Sequence, residues 1–218
     1  MNDYKCTNQI GYTCGLYCII IADCILNKKN FNLDTYYDFI KKCVDSSLTK
    51  VGEVFDITVL EKIAKSFMPN INMQIYDTKS VTDLKMLLEN NIIIMPVVSG
   101  KTNTPHYTLL CKNKKYVQYN LFLCRKHISS FSKILKSNNS ISDKYVWQKN
   151  IISPSPYSKL SYSIFNTFIK SGKYRKRYSK EIFNTAVNKN IVQIGDVDEV
   201  NMRGKFLLLS KTTNKISE

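Results

Sequence analysis

Between Gln9 and Tyr17 the sequence reads Gln-Ile-Gly-Tyr-Thr-Cys-Gly-Leu-Tyr, an amide side chain five positions ahead of a Cys-Gly pair. A cysteine becomes a strong nucleophile when its surroundings favour the thiolate. Cys14 stands at the mouth of an apolar run, Leu16 to Leu26, whose only charge is Asp23. Such a run predicts a helix buried on nearly all sides, and a thiol in its first turn feels the positive end of the backbone dipole. Gln9 can turn its amide N–H toward an oxyanion forming beside that sulfur. The expected chemistry is acyl transfer through Cys14, with Gln9 as oxyanion donor. Burial in an apolar core accounts equally well for Cys18, Cys24 and Cys43, which lie on apolar faces, but not for the Gln-x4-Cys-Gly setting of Cys14.

Thiol chemistry of this kind needs an imidazole to take a proton and return it to a leaving amine. The chain has two histidines. His106 opens the strand-like run His-Tyr-Thr-Leu-Leu-Cys behind the turn-forming Asn103-Thr104-Pro105, whereas His127 lies between Lys126 and Ile128 in a charged segment. His106 is therefore the expected base. A polar residue on the next strand would orient the ring, and Gln118 and Asn120 share one face there by alternation. Both are candidates, Asn120 as the possible orienter and Gln118 as the alternative. No Asp stands in that strand.

The elements that would position these groups follow from periodicity. Leu33 to Ser46 carries Tyr36, Phe39, Ile40, Cys43 and Val44 at helical spacing. Asp56 to Phe67 repeats the pattern with Asp56 as N-cap, and Val81 to Glu89 predicts another helix capped by Ser80. Met73 to Tyr76 is a short strand candidate. Ile92 to Val98 reads as a central strand, with Pro96 expected at a strand end or bulge. His106 to Lys112 and Tyr116 to Leu123 predict a hairpin across Asn113 to Lys115, and Ile128 to Leu135 a short helix. Ser153-Pro154-Ser155-Pro156 interrupts regular structure. Ile191 to Ile194 and Phe206 to Leu209 are expected as sheet edges. Helices first and antiparallel strands later give an α+β class.

A chain of 218 residues with 44% hydrophobic content suits one domain, 1–218, with a basic excursion at about 157–187. The seven cysteines show no metal-ligand spacing, so neither metal nor cofactor is expected. A polar stretch from Met1 to Asn8 and crowding of three cysteines near one helix favour a reducing setting, cytosolic or nuclear, and a cytoplasmic one is expected. The run Ile92 to Val98 falls far short of the ~20 residues that cross a bilayer, so no membrane partner is expected. The net charge of +15 attracts acidic partners. Its densest cluster is Lys170, Lys173, Arg175, Lys176, Arg177 and Lys180. No nucleic-acid-binding signature accompanies that cluster, which counts against nucleic acid, but charge alone does not decide between it and an acidic peptide. The oligomeric state is not legible.

The pattern Gln9-Ile-Gly-Tyr-Thr-Cys14-Gly-Leu resembles the nucleophile motif of papain-like, C39-like cysteine peptidases, and most closely that of the actin maturation protease family. Gly52-Glu53-Val54-Phe55 is similar to that family's Gly-Glu-Met-Phe segment, and His106-Tyr107 to its His-Trp. Ser137-Asn138, Ser153-Pro154-Ser155 and Gly204 to Leu209 resemble further elements in the same order. The resemblance implies a papain-like fold, with the nucleophile on a buried helix packed on an antiparallel sheet. It also implies a cytosolic aminopeptidase that removes the N-acetylated first residue, Met or Cys, from immature actin. The alternatives are a C39-like cysteine endopeptidase acting on another polypeptide, or a catalytically idle papain-like domain that binds an acidic partner or nucleic acid.

Overall fold

The computed structural model describes residues 13–49, 52, 54–77, 80–99, 104–119, 126–128, 130–143 and 200–211. Gln9, Asn120, the Ser153–Pro156 interruption, the 157–187 stretch and the Ile191–Ile194 run lie outside them. In chain order the described elements are α1 (Cys14–Leu26), α2 (Leu33–Asp45), α3 (Ile57–Phe67), β1 (Ile71–Asp77), α4 (Val81–Leu88), β2 (Ile92–Ser99), β3 (Thr104–Asn113), β4 (Lys115–Tyr119), β5 (Lys126–His127), α5 (Phe131–Asn139) and β6 (Lys205–Lys211). The class is α+β. All strand pairs are antiparallel, in one six-stranded sheet of order β1-β6-β2-β3-β4-β5.

Local chemistry explains most helix starts. Asn32, Asp56, Ser80 and Ser130 each accept a backbone N–H from the first turn they precede, at α2, α3, α4 and α5 respectively. α1 has no such cap and is instead held by burial: every residue from Gly15 to Leu26 is buried. Asp23, the charge inside that run, accepts from Asn27 Nδ2 at 2.6 Å and pairs with Lys29 Nζ at 3.2 Å. Its carboxylate is thus satisfied at the helix end, which removes most of the cost of burying it.

Alternation divides the strands between two cores. Ile92, Ile94, Tyr107, Leu109, Cys111, Leu207 and Leu209 pack with α1, α2 and α3 on one face. Ile93, Met95, Leu110, Phe206 and Leu208 pack with α4 and α5 on the other. The sheet is therefore a middle layer, buried on both sides, which is why β2 and β6 read as unbroken apolar runs rather than alternating ones.

Four expectations are corrected by this arrangement. Phe206 to Leu209 is not a sheet edge: β6 lies between β1 and β2 and pairs with both. Covering by helices on both faces makes its continuous apolarity an interior signal. Pro96 stands inside β2, opposite Tyr107, rather than at an end or bulge. The β6 ladder reaches only from Ile92 to Ile94, so beyond it the second edge of β2 asks for no N–H from a proline. The short helix begins at Phe131, not Ile128, because Ser130 supplies the cap. Finally, helices do not all precede the strands, since α4 and α5 are interleaved with them to cover the second face.

Candidate active site

α1 begins at Cys14, so the thiol occupies the first helical position. Cys14 is half-buried, while Cys18, one turn on, is 2% exposed. The difference comes from where the sheet meets the helix. The backbone N–H of Tyr107 donates to Cys14 Sγ at 3.4 Å. A donor on the sulfur favours its anionic form, and the positive end of the α1 dipole acts in the same direction. Tyr107 directly follows His106 in β3, so this bond brings the strand of the candidate base to the thiol.

Gly15 makes the approach possible. A Cβ at that position would meet Leu60 Cδ1 at 2.8 Å and Tyr107 Cδ2 at 3.2 Å. Any side chain there would crowd Leu60 and the Tyr107 ring beside the thiol. The second residue of the Cys-Gly pair thus has a steric reason of its own.

Thr13, which precedes the thiol, is fully buried and leaves the first turn of α1 uncapped. Its hydroxyl is engaged elsewhere, in a hydrogen bond with the Tyr36 hydroxyl, and the same Tyr36 Oη donates to the Thr13 carbonyl at 3.5 Å. Tyr36 is itself wedged among Tyr17 and Phe31, with ring centroids 5.8 Å from each. From the other side Gly52 presses on Thr13. At φ +105° its backbone suits glycine, and a Cβ would meet Thr13 Cγ2 at 2.3 Å. The residue ahead of Cys14 is held between α2 and Gly52.

His106 is 5% exposed and lies at the start of β3, opposite Val97 of β2. Gln118, 6% exposed, projects its Nε2 to Thr108 Oγ1 at 3.0 Å, and the Thr108 hydroxyl donates to the Tyr119 carbonyl at 2.7 Å. The alternative orienter is therefore tied to the residue two positions beyond His106. Asn120 and Gln9 lie outside the described residues. His127 belongs to β5, which β4 separates from β3. Cys14 and the His106 segment are brought together, and His127 is placed two strands from that segment.

Burial disfavours ionisation of the inner thiols and of the Tyr107 phenol. Burial, and then the neighbouring Cys14, push the Cys18 thiol well above its ordinary value. Burial, followed by Cys14, Asp56 and Cys18, does the same to the Tyr107 phenol. Cys24 and Cys43 are each pushed up to about 11, chiefly by burial. All five described cysteines remain thiols, and no cluster of the described residues has the composition of a metal site. Among the described residues no helix is long and apolar enough to cross a membrane.

The sequence reading missed Tyr36, Thr13 and the Tyr107 N–H. Tyr36 lay in an amphipathic stripe, where its ring explained it and its hydroxyl went unread. A backbone donor leaves no trace in residue types at all.

No protein of curated function and no solved structure matches the chain. Residues 4–109 match the family described as Actin maturation protease-like, C-terminal domain. The matched span includes Gln9, Cys14, Gly52 and His106 and ends within β3, so β4, β5, α5 and β6 lie beyond it. Residues 4–109, just under half of the chain, carry the thiol, Gly52 and the strand that reaches the thiol, and through them the chain is similar to the actin maturation protease-like family.

Proposed function

We propose that the protein is a papain-like cysteine aminopeptidase that removes the N-acetylated first residue, Met or Cys, from immature actin. The observation that carries this reading is the Tyr107 N–H on Cys14 Sγ, which sets the His106 strand against a thiol at a helix N-terminus. In the proposed reaction Cys14 Sγ attacks the carbonyl carbon of the acetylated residue while His106 holds the thiol proton. Gln9 and the Cys14 backbone N–H stabilise the oxyanion. The bond from that carbon to the next residue's nitrogen breaks, His106 returns the proton to the departing amine, and a thioester remains on Cys14. Water, deprotonated by His106, attacks the thioester and releases the acetylated amino acid. Asn120, or Gln118 acting through Thr108, would orient the ring.

The net charge of +15 supports an acidic substrate such as the actin N-terminus, since long-range attraction raises the encounter rate. The work is expected to take place in the cytoplasm. The test is mass spectrometry of N-acetylated Met- or Cys-led acidic peptides, alongside a peptide with its acidic residues replaced by Ser. Loss of one acetylated residue from the acidic peptides supports the reading. Cleavage inside the peptides, with the terminal residue left in place, would instead indicate an endopeptidase.

A further inference from the structure

β2 splits from β6 in mid-strand. Ile92 to Ile94 pair with Leu209 to Leu207, but Met95 to Ser99 continue along β3 without β6 on their other side. In an antiparallel strand the N–H and C=O of one residue face the same edge, and alternate residues face alternate edges. Pro96 turns its carbonyl, and Val98 its N–H and carbonyl, toward the fork, where they would be left without a ladder.

Two consecutive side chains at the end of α5 occupy that fork. Asn138 is fully buried, and its Nδ2 donates to the Pro96 carbonyl at 2.8 Å and the Lys205 carbonyl at 3.1 Å, joining the parting strands. Ser137 Oγ accepts from Val98 N–H at 3.0 Å and donates to the Val98 carbonyl at 3.1 Å. Between them they serve the backbone groups of Pro96 and Val98 that a neighbouring strand would otherwise serve. The residues directly across β2 from this clamp are Tyr107, opposite Pro96, and His106, opposite Val97.

We propose that Ser137 and Asn138 are positioning residues for the Cys14–His106 site. Standing in for a strand, they hold Pro96 to Val98 straight and so hold the start of β3, with His106 and the Tyr107 N–H, against α1. This rests on the reading of Cys14 and His106 as nucleophile and base. The clamp's hydrogen bonds go to strand backbone, so the effect passes through the strand.

The test uses the whole chain with Ser137→Ala, Ser137→Thr and Asn138→Ala, and Ser140→Ala as control. The Ser140 hydroxyl bonds only within the α5 end, to the Lys136 carbonyl. Iodoacetamide labelling of Cys14, followed across pH by mass spectrometry of its peptide, reads the thiolate held by the site. Ser137→Ala is expected to move the acid limb of the Cys14 profile toward the ordinary thiol value and to lower kcat roughly ten- to a hundredfold with KM little changed. Ser137→Thr restores both, and Ser140→Ala changes neither. Asn138→Ala gives the larger shift if it folds. If it does not, Ser137→Ala alone decides.

A folded Ser137→Ala protein with the wild-type Cys14 profile and kcat overturns the proposal. A wild-type Cys14 that titrates as an ordinary thiol overturns the nucleophile reading instead. In that case hydrogen exchange at the Tyr107 amide judges the clamp by itself: faster exchange in Ser137→Ala than in Ser140→Ala upholds it, and equal exchange overturns it.

Discussion

The first and second turns of α1 carry the same functional group in opposite circumstances. Cys14 and Cys18 stand one turn apart toward β3, yet Cys14 is half-buried at the positive end of the helix and accepts the Tyr107 N–H. Cys18 lies in the packed interior, where burial holds its thiol well above the ordinary value. Reactivity here is a property of place. A helix end with a donor and access to solvent favours a thiolate, and further burial disfavours it.

The largest expected effect removes one side of this contrast. Cys14→Ala should abolish turnover, on the order of 10⁴-fold or more, because no neighbouring thiol can substitute. Peptide turnover measured beside Cys18→Ala checks it. Cys18→Ala should retain most of its kcat, and a comparable loss in both variants would break the comparison. Next in size is Gln9→Ala, which should lower kcat by ~10²–10³ with KM little changed, as loss of one oxyanion donor does. Steady-state kinetics on an acetylated acidic peptide would show it, and near-normal kcat would remove Gln9 from the mechanism.

Tyr36→Phe sharpens the comparison within the first turn. It deletes only the hydroxyl that engages Thr13, releasing that side chain to cap α1 in competition with the oxyanion. A fall in kcat of roughly tenfold is expected, with at most about 1 kcal/mol change in stability. Thermal unfolding and kinetics on the same sample separate the two. The smallest effect concerns the sealed thiols. Cys24 and Cys43, at about 11, are raised above their unfolded values, so the native state binds more protons than the unfolded one. Their contribution is therefore fully present below the ordinary thiol value of ~8.5 and is lost as pH rises from there through about 11. Urea unfolding at a series of pH values should show stability falling across that window, and a Cys24→Ala/Cys43→Ala double variant should flatten the fall.

Much of this was legible in residue order because local chemistry and burial agreed. The Leu16 to Leu26 run announced α1, and Asp56 and Ser80 announced the caps of α3 and α4, since each acts within one turn of its own position. Cys14 and His106 were singled out because nucleophile chemistry restricts residue type. What the sequence concealed depends on partners far along the chain. β6 looked like an edge because its neighbours β1 and β2 are more than a hundred residues away. Pro96 looked like a strand terminus because nothing nearby reveals that Asn138 Nδ2 donates to its carbonyl. Tyr36 and Gly52 converge on Thr13 from two elements, and no spacing rule connects them.

The most direct measurement traps the intermediate. The protein is mixed with an N-acetylated Met-led acidic peptide, quenched in acid within the first turnovers and mapped by mass spectrometry for acylated cysteines. The account predicts an acetyl-methionyl thioester on Cys14 alone, absent from Cys14→Ala. Acylation of another cysteine, or cleavage that persists in Cys14→Ala, would contradict it.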